Sequence, residues 1–292
     1  MIQDRGRDFL ALNDHTGDVL TALIARAGAM AHFWAERGMP ACLAGRRIAL
    51  IVDDGGWRNT TAFDLGIQAM AGCCVHAPIT LGGAEAVADL AAYLDNWVDG
   101  IVARTPQLAA MRALADAARA PVINARTRAN HPCETLGDLS FVHRVRGGID
   151  GLKVVGVAAD DNILRSWVEA AHVLPIEVTQ VFPARWQVRD PALQTPRFLA
   201  TAELGAIADA DVLITDSWPR DADEAELRPY QVTDGVLDRL RPGALFLPCP
   251  PVARGREVSR DAMLHPACRV VEAKAFLLHA QNALLEWAFA RR

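Results

Sequence analysis

His131-Pro132-Cys133-Glu134-Thr135-Leu136-Gly137-Asp138-Leu139 follows the buried-strand run Val122-Ile123-Asn124 and opens a helix near the middle of a 292-residue chain. Proline at the front of such a run suits the first turn of a helix, where the N–H that it lacks would have had no partner anyway. His131 and Cys133 then fall at the positive end of the helix dipole, a place that favours anions. An ordinary capped helix and an anion-binding helix start both fit this spacing. Here one half of an alternating strand-and-helix chain gives way to the other.

Upstream, Arg47-Ile48-Ala49-Leu50-Ile51-Val52 is a continuous apolar run, the pattern of a strand covered on both faces in a parallel sheet. Before it, Thr16 has the character of an N-cap, with Asp18 in the first turn and Val19, Leu20, Leu23, Ile24 and Ala27 at helical spacing. After it, the turn Asp53-Asp54-Gly55-Gly56-Trp57-Arg58-Asn59-Thr60-Thr61 leads into a helix through Ala62, Phe63 and Ile67. Strand, glycine turn and helix start together offer backbone N–H groups to a phosphate, although a glycine turn that merely reverses the chain has the same residues. A second strand near Cys74-Val75-His76 precedes a helix opened by Gly82-Gly83-Ala84-Glu85 and running through Leu90, Leu94 and Trp97. Arg104 then ends the strand Gly100-Ile101-Val102-Ala103, at the edge where ligands bind in open α/β sheets; a structural ion pair is the other reading. A helix around Leu108 to Ala118 leads back to the opening stretch.

The second half repeats the alternation. Lys153-Val154-Val155-Gly156-Val157-Ala158 is a strand, and the following helix begins at Asp160-Asp161-Asn162-Ile163, where Asn162 is either a ligand-binding residue or an N-cap. Further on come the runs Ala210 to Trp218 and Ala244 to Pro251, then a C-terminal helix from Glu272 to Phe289.

Length suggests two domains of roughly 130 to 150 residues. Half of the chain, 51%, is apolar, yet no charge-free run is long enough to span a bilayer, and Met1 to Asp8 is unlike a signal peptide, so a cytoplasmic protein is expected. Six cysteines without a Cys-x-x-Cys pair point to reduced thiols rather than to disulfides or a zinc site, with Cys73 and Cys74 simplest as core residues. A net charge of -5 with scattered basic residues gives no footprint for nucleic acid or an anionic membrane. No Gly-x-Gly-x-x-Gly follows a strand, which argues against a nicotinamide enzyme.

His131-Pro132-Cys133-Glu134 resembles the His-Pro-Cys-Gln signature of the ornithine carbamoyltransferases, within the transcarbamylase family that also holds the aspartate enzymes. The turn at Gly56 to Thr60 corresponds to the family's Ser-Thr-Arg-Thr-Arg, with Arg58 matching the first arginine and Phe63 and Gly66 at the family spacing. Gly56 replaces the serine, Trp57 and Asn59 the threonines, and Thr60 the second arginine. Asn162-Ile163 matches the end of Gly-Asp-Gly-Asn-Asn-Ile, and Ala210 to Trp218 is similar to the segment whose aspartate binds the ornithine side-chain amine. After that segment Arg220-Asp221-Ala222 replaces Ser-Met-Gly. Cys249 matches the cysteine of His-Cys-Leu-Pro, with Pro248 in place of its histidine. The resemblance runs in unbroken order over roughly residues 7 to 285.

The resemblance implies an α/β fold of two doubly wound parallel-sheet domains: residues 1–137 for carbamoyl phosphate, 138–270 for the amino acid, and a C-terminal helix, 271–292, crossing back to the first. It implies an active site in the cleft between the domains, with attack of a neutral amine on the carbamoyl carbon and departure of phosphate, needing no cofactor and no metal. His131 and Arg104 would polarise the carbonyl. Arg58, with the amides of Trp57, Asn59 and Thr60, would hold the phosphate, beside Cys133 and Glu134. Asp216 and Cys249 would position the amine, with Asn162 and Ser217 nearby. In relatives the C-terminal helix carries a phosphate-binding arginine at the position of Leu277. Lys274 lies three residues earlier on the same helical face, where it either serves that end or is solvated surface. Arg165 and Arg254 are further candidates to resupply the missing charge, and Lys274 or Arg165 to pair with Glu134. The expected partners are small-molecule substrates and two further copies of the chain in a homotrimer. A carbamoyltransferase acting on ornithine or an ornithine-like amine is expected, the alternative being a non-catalytic relative that binds another ligand.

Overall fold

The computed structural model describes residues 7–53 and 55–290. Met1–Gly6 and Asp54, both used above, lie outside the described residues, as do the last two. Two compact units emerge, residues 1–145 with 274–292, and residues 146–273.

In the first unit the elements run α1 (Gly17–Ala35), β1 (Arg47–Val52), α2 (Trp57–Ala69), β2 (Cys73–Ala77), α3 (Val87–Leu94), β3 (Gly100–Arg104), α4 (Leu108–Ala117), β4 (Val122–Arg126) and α5 (Pro132–Arg146). The four strands are parallel in the order β2-β1-β3-β4. Thr16 caps α1, accepting from the Val19 N–H at 3.4 Å. Ala49, Ile51, Ile101, Ala103 and Val122 on one sheet face pack with Leu90, Leu94, Met111 and Leu114 of α3 and α4. The period-2 alternation of the strands sends Ile48, Leu50 and Val102 to the other face.

Two helix starts differ from expectation. α2 begins at Trp57, so Trp57 to Thr61 are its first turns rather than part of a loop: Gly56, at φ 115°, reverses the chain in one residue. α3 begins at Val87, after the glycines have been spent in turns. Cys73 is exposed and Cys74 half-buried, not core, because β2 is an edge strand.

From Lys274 onward, the C-terminal helix α9 (Val270–Phe289) belongs to this unit. A Cβ on Gly66 would lie 2.0 Å from Asn282 Oδ1, and one on Gly137 would lie 3.0 Å from Leu277 Cα. Both glycines therefore let α2 and α5 approach α9 closely. Leu277, whose backbone abuts Gly137, is itself buried.

The second unit runs β5 (Leu152–Val157), α6 (Asn162–Val173), β6 (Ile176–Val181), β7 (Phe198–Thr201), β8 (Val212–Thr215), α7 (Glu224–Leu227), α8 (Asp234–Leu237) and β9 (Leu245–Pro248). Its five parallel strands are ordered β7-β6-β5-β8-β9. Val155, Val157, Leu213 and Phe246 face a core with Trp218, Leu227 and Leu237, while Leu164 of α6 lies on the opposite face against Gly156. Among the described residues no helix is long and apolar enough to cross a membrane.

Candidate functional site

In each sheet the strand order reverses direction once, between β1 and β3 and between β5 and β8. Ligands in open α/β sheets bind beyond the strand C-termini at such points. The expected site residues gather at these two edges.

In the first unit, Gly56 sits against the Arg104 guanidinium so closely that a Cβ there would be 2.4 Å from Arg104 Cζ. The arginine thus lies on the N-terminal cap of α2, whose first amides belong to Trp57, Arg58, Asn59 and Thr60. Arg126 is the register partner of Arg104 on the adjoining strand. Two guanidinium-bearing residues therefore end neighbouring strands beside a helix N-terminus, an arrangement that favours an anion. Sequence reasoning missed Arg126, although the rule that singled out Arg104, a cation at the end of a buried parallel strand, applies equally to Ala125-Arg126. Arg58 lies over the Trp57 ring at 5.0 Å, and Trp57 is itself 68% exposed. Asn59 is buried: its Nδ2 donates to Ala125 O at 3.2 Å and its Oδ1 accepts from Gln281 Nε2 at 3.2 Å, so its side chain ties α2 to β4 and α9. Thr60 Oγ1 donates back to Gly56 O at 3.3 Å.

The loop from β4 to α5 is braced by buried amides. Asn124 Nδ2 donates to Asn130 Oδ1 and to Leu10 O, each at 2.8 Å, and Thr127 Oγ1 donates to Asn130 Oδ1 at 2.9 Å. This fixes His131 just ahead of Pro132. Burial above all brings the His131 pKa down to about 3, against the pull of Glu134 and with smaller repulsions from Arg104, Arg126 and Lys274 in the same direction as burial. At neutral pH it is a neutral imidazole with one N–H to donate. Cys133 is packed inward, its thiol donating to Asn124 O at 3.3 Å, and burial, then Glu134, push its pKa upward.

Lys274 is neither solvated nor aimed outward. Its Nζ lies 2.7 Å from Glu134 Oε1 and 2.7 Å from Asp138 Oδ1, with all three side chains largely buried. Glu134 Oε2 is 3.7 Å from His131 Nε2. One lysine between two carboxylates cannot hold both fully ionised. Burial pushes the Glu134 carboxyl up, but Lys274, His131 and Arg104 together outweigh it and hold it below the usual range. Asp138 goes the other way: burial and Glu134 prevail over Lys274 and raise it to about 6. Arg165 is not available to Glu134, being engaged with Asp160 at 2.6 Å and Asp190 at 3.4 Å, and Arg254 is exposed in the second unit.

A carboxyl raised in the folded state stabilises fully below its unfolded pKa of 3.8, and that contribution is lost as pH rises through about 6. Asp138→Asn is therefore expected to flatten the decline of folding stability across this window, read as denaturant midpoints at a series of pH values. An Asp138 carboxyl carbon resonance titrating at the ordinary aspartate value would contradict the shared-lysine arrangement.

At the edge of the second unit, Asp161, not Asn162, is the N-cap of α6: its Oδ1 accepts from the N–H groups of Ile163 and Leu164 at 3.0 and 3.1 Å. Asn162 is the first helical residue and is buried. Burial first, then Asp216, push the Asp161 carboxyl well above its usual range. Asp216 Oδ1 accepts from the Ser217 N–H at 2.7 Å, and the Ser217 side chain is exposed. Two neighbouring carboxyls at the ends of β5 and β8 suit a cationic or amine ligand. Asp161 was missed because an N-cap aspartate after a strand is so common. Cys249 follows β9, half-buried, with its N–H donating to Thr215 O at 2.8 Å.

Comparison with known proteins places the sequence and the fold in one family. The family model described as the carbamoyl-P binding domain of aspartate/ornithine carbamoyltransferase matches residues 7–144, and that of the Asp/Orn binding domain matches residues 150–288. An ornithine carbamoyltransferase of Bradyrhizobium diazoefficiens is 31% identical, with 97% of each chain covered, and one of Deinococcus radiodurans is 33% identical with 96% of each covered. Among solved structures, ornithine carbamoyltransferase from Pyrococcus furiosus superposes with a TM-score of 0.90 at 27% identity, covering 98% of this chain and 97% of that one. The Thermus thermophilus structure gives 0.89 at 29%, covering 97% and 99%. Matched by both domain models along nearly its whole length, the chain belongs to the aspartate/ornithine carbamoyltransferase family.

Proposed function

We propose that this protein transfers a carbamoyl group from carbamoyl phosphate to an amine of ornithine or an ornithine-like acceptor, releasing phosphate. The observation that carries this reading is the anion cradle of the first unit, in which Arg104 and Arg126 end adjacent strands beside the α2 N-terminus and a neutral His131. The helix-terminal amides of Trp57, Arg58, Asn59 and Thr60, with Arg58 and Arg126, take the phosphate. His131 and Arg104 donate to the carbamoyl oxygen as negative charge builds there. Cys133 fixes the helix start, and Glu134, held by Lys274, orients the imidazole. The acceptor nitrogen forms its bond to the carbamoyl carbon while the C–O bond to phosphate breaks, and the proton that the nitrogen sheds passes to the departing phosphate. Asp216, with Asp161, receives the amine, and Asn162, Ser217 and Cys249 line its approach.

A product screen with radiolabelled carbamoyl phosphate against ornithine, N-modified ornithines, aspartate and putrescine tests the reaction, and no carbamoylated product from any of them would overturn it. Asp216→Asn is expected to lower kcat/KM for the acceptor roughly 10- to 150-fold, the loss of one charge-assisted hydrogen bond, while leaving carbamoyl phosphate binding unchanged. We infer further that the protein is cytoplasmic and assembles as a homotrimer through its first unit. Light scattering at micromolar concentration is expected to return three chains, and a clean monomer counts against the assembly.

A further inference from the structure

We propose that Asp64, Cys74 and His76 form a binding site for a divalent transition-metal cation of the zinc class, apart from the anion cradle. One sulfur, one imidazole nitrogen and one carboxylate oxygen lie within 4.8 Å of one another, and Asp64 Oδ2 is 3.1 Å from His76 Nε2. Asp64 is seven residues into α2 from Trp57, about 10 Å along the helix from the amides at its start.

The fold explains why these three meet. Cys74 and His76 are two apart on β2, so their side chains share a face of the strand, and α2 packs against that strand. β2 is the edge of its sheet, which leaves His76 exposed and the position reachable by an ion that keeps a water in its fourth place. Gln68, one turn beyond Asp64, donates its Nε2 to Asp64 Oδ1 at 2.6 Å. That bond occupies one carboxylate oxygen and leaves the other facing the histidine, the role of an outer-shell orienting group.

The donor set chooses the ion. Thiolate and imidazole favour zinc or cobalt over magnesium or calcium, which take oxygen ligands. Tetrahedral bond lengths of about 2.0 to 2.3 Å place ligand atoms about 3.3 to 3.6 Å apart, so rotamer adjustments of an ångström or so close the site. Cysteine spacing in the sequence gives no hint of it, since the ligands come from a helix and a strand and include only one thiol.

Cobalt(II) is the probe, because thiolate ligation produces a sulfur-to-metal charge-transfer band in the near ultraviolet. The full-length protein is expected to bind one cobalt ion per chain with that band, and zinc should displace it. Cys74→Ser should abolish the band, His76→Gln should weaken binding, and Gln68→Ala should weaken it about 10- to 100-fold. Cys73→Ser and Cys249→Ser should bind as the parent does. Cys74 and His76 lie on the edge strand and Gln68 on the exposed side of α2, so all three variants should unfold cooperatively without metal, which separates ligand loss from misfolding. Absence of the band in the parent, its survival in Cys74→Ser, or its loss in Cys249→Ser would each overturn the proposal and leave Asp64 and His76 as a plain surface ion pair.

Discussion

His131→Ala and Arg104→Ala are each expected to lower kcat for carbamoyl transfer about 100- to 1000-fold, the usual consequence of deleting one donor to a developing oxyanion. Each should still unfold in a single cooperative transition. The reason lies in the state of the imidazole. With a pKa near 3 it is uncharged at neutral pH, so it donates one hydrogen bond without having to lose a proton first. The linked stability has a definite sign: below the unfolded value of 6.5 the unfolded chain takes up the proton that folded His131 refuses, so this contribution erodes from 6.5 down to about 3. No limb of the pH–rate profile near 6.5 should disappear in His131→Ala, since none belongs to it. Near-normal turnover in both variants would remove these residues from the carbonyl and return the cradle to a purely structural role.

Much of the architecture was legible because buried parallel strands are hard to disguise. Ile48 to Val52 has no polar residue, and the glycine turn and helix after it follow from chemistry confined to a few neighbours. β6 and β7 were harder to see: Glu177 and Thr179 alternate with apolar residues, and Phe198–Thr201 has only four residues. The site was legible where a residue's place on its own element decides its surroundings, as for Arg104 at a strand end. It was illegible where partners come from distant chain. Lys274, 140 positions from Glu134, is reached only through the resemblance and with Arg165 as an equal candidate, and nothing near Arg104 shows that Arg126 ends the neighbouring strand. Even the departures acquire reasons in three dimensions. Gly56 stands where the resemblance places a serine, at φ 115°, a backbone conformation that strains any side chain, and a Cβ there would lie 2.4 Å from Arg104 Cζ unless the guanidinium moved.

Lys274→Met is expected to destabilise the protein by about 3 to 5 kcal/mol, the cost of leaving buried carboxyls without their cation. The substitution keeps the length and most of the volume of the side chain, so packing against α5 is little disturbed. What remains are Glu134 and Asp138, both buried, with no lysine between them. Both carboxyls would then take up protons more readily folded than unfolded, which makes the loss small below about pH 4 and progressively larger as pH rises. Restoring neutrality should restore the fold: Glu134→Gln and Asp138→Asn in the Lys274→Met background are expected to recover most of the lost stability, although each group was part of a native ion pair. Carbamoyl phosphate supplies an independent readout. An ionised carboxylate about 4 Å from the phosphate at an effective dielectric near 20 opposes binding by roughly 4 kcal/mol, and Lys274 is the charge that cancels this for Glu134. Lys274→Met alone should therefore weaken carbamoyl phosphate binding, and adding Glu134→Gln should recover it even where stability is only partly regained. A Lys274→Met protein within about 0.5 kcal/mol of the parent would mean that the lysine does not hold these carboxylates in solution. The neutral imidazole of His131 would still stand in that case, since burial is the main cause of its lowered pKa.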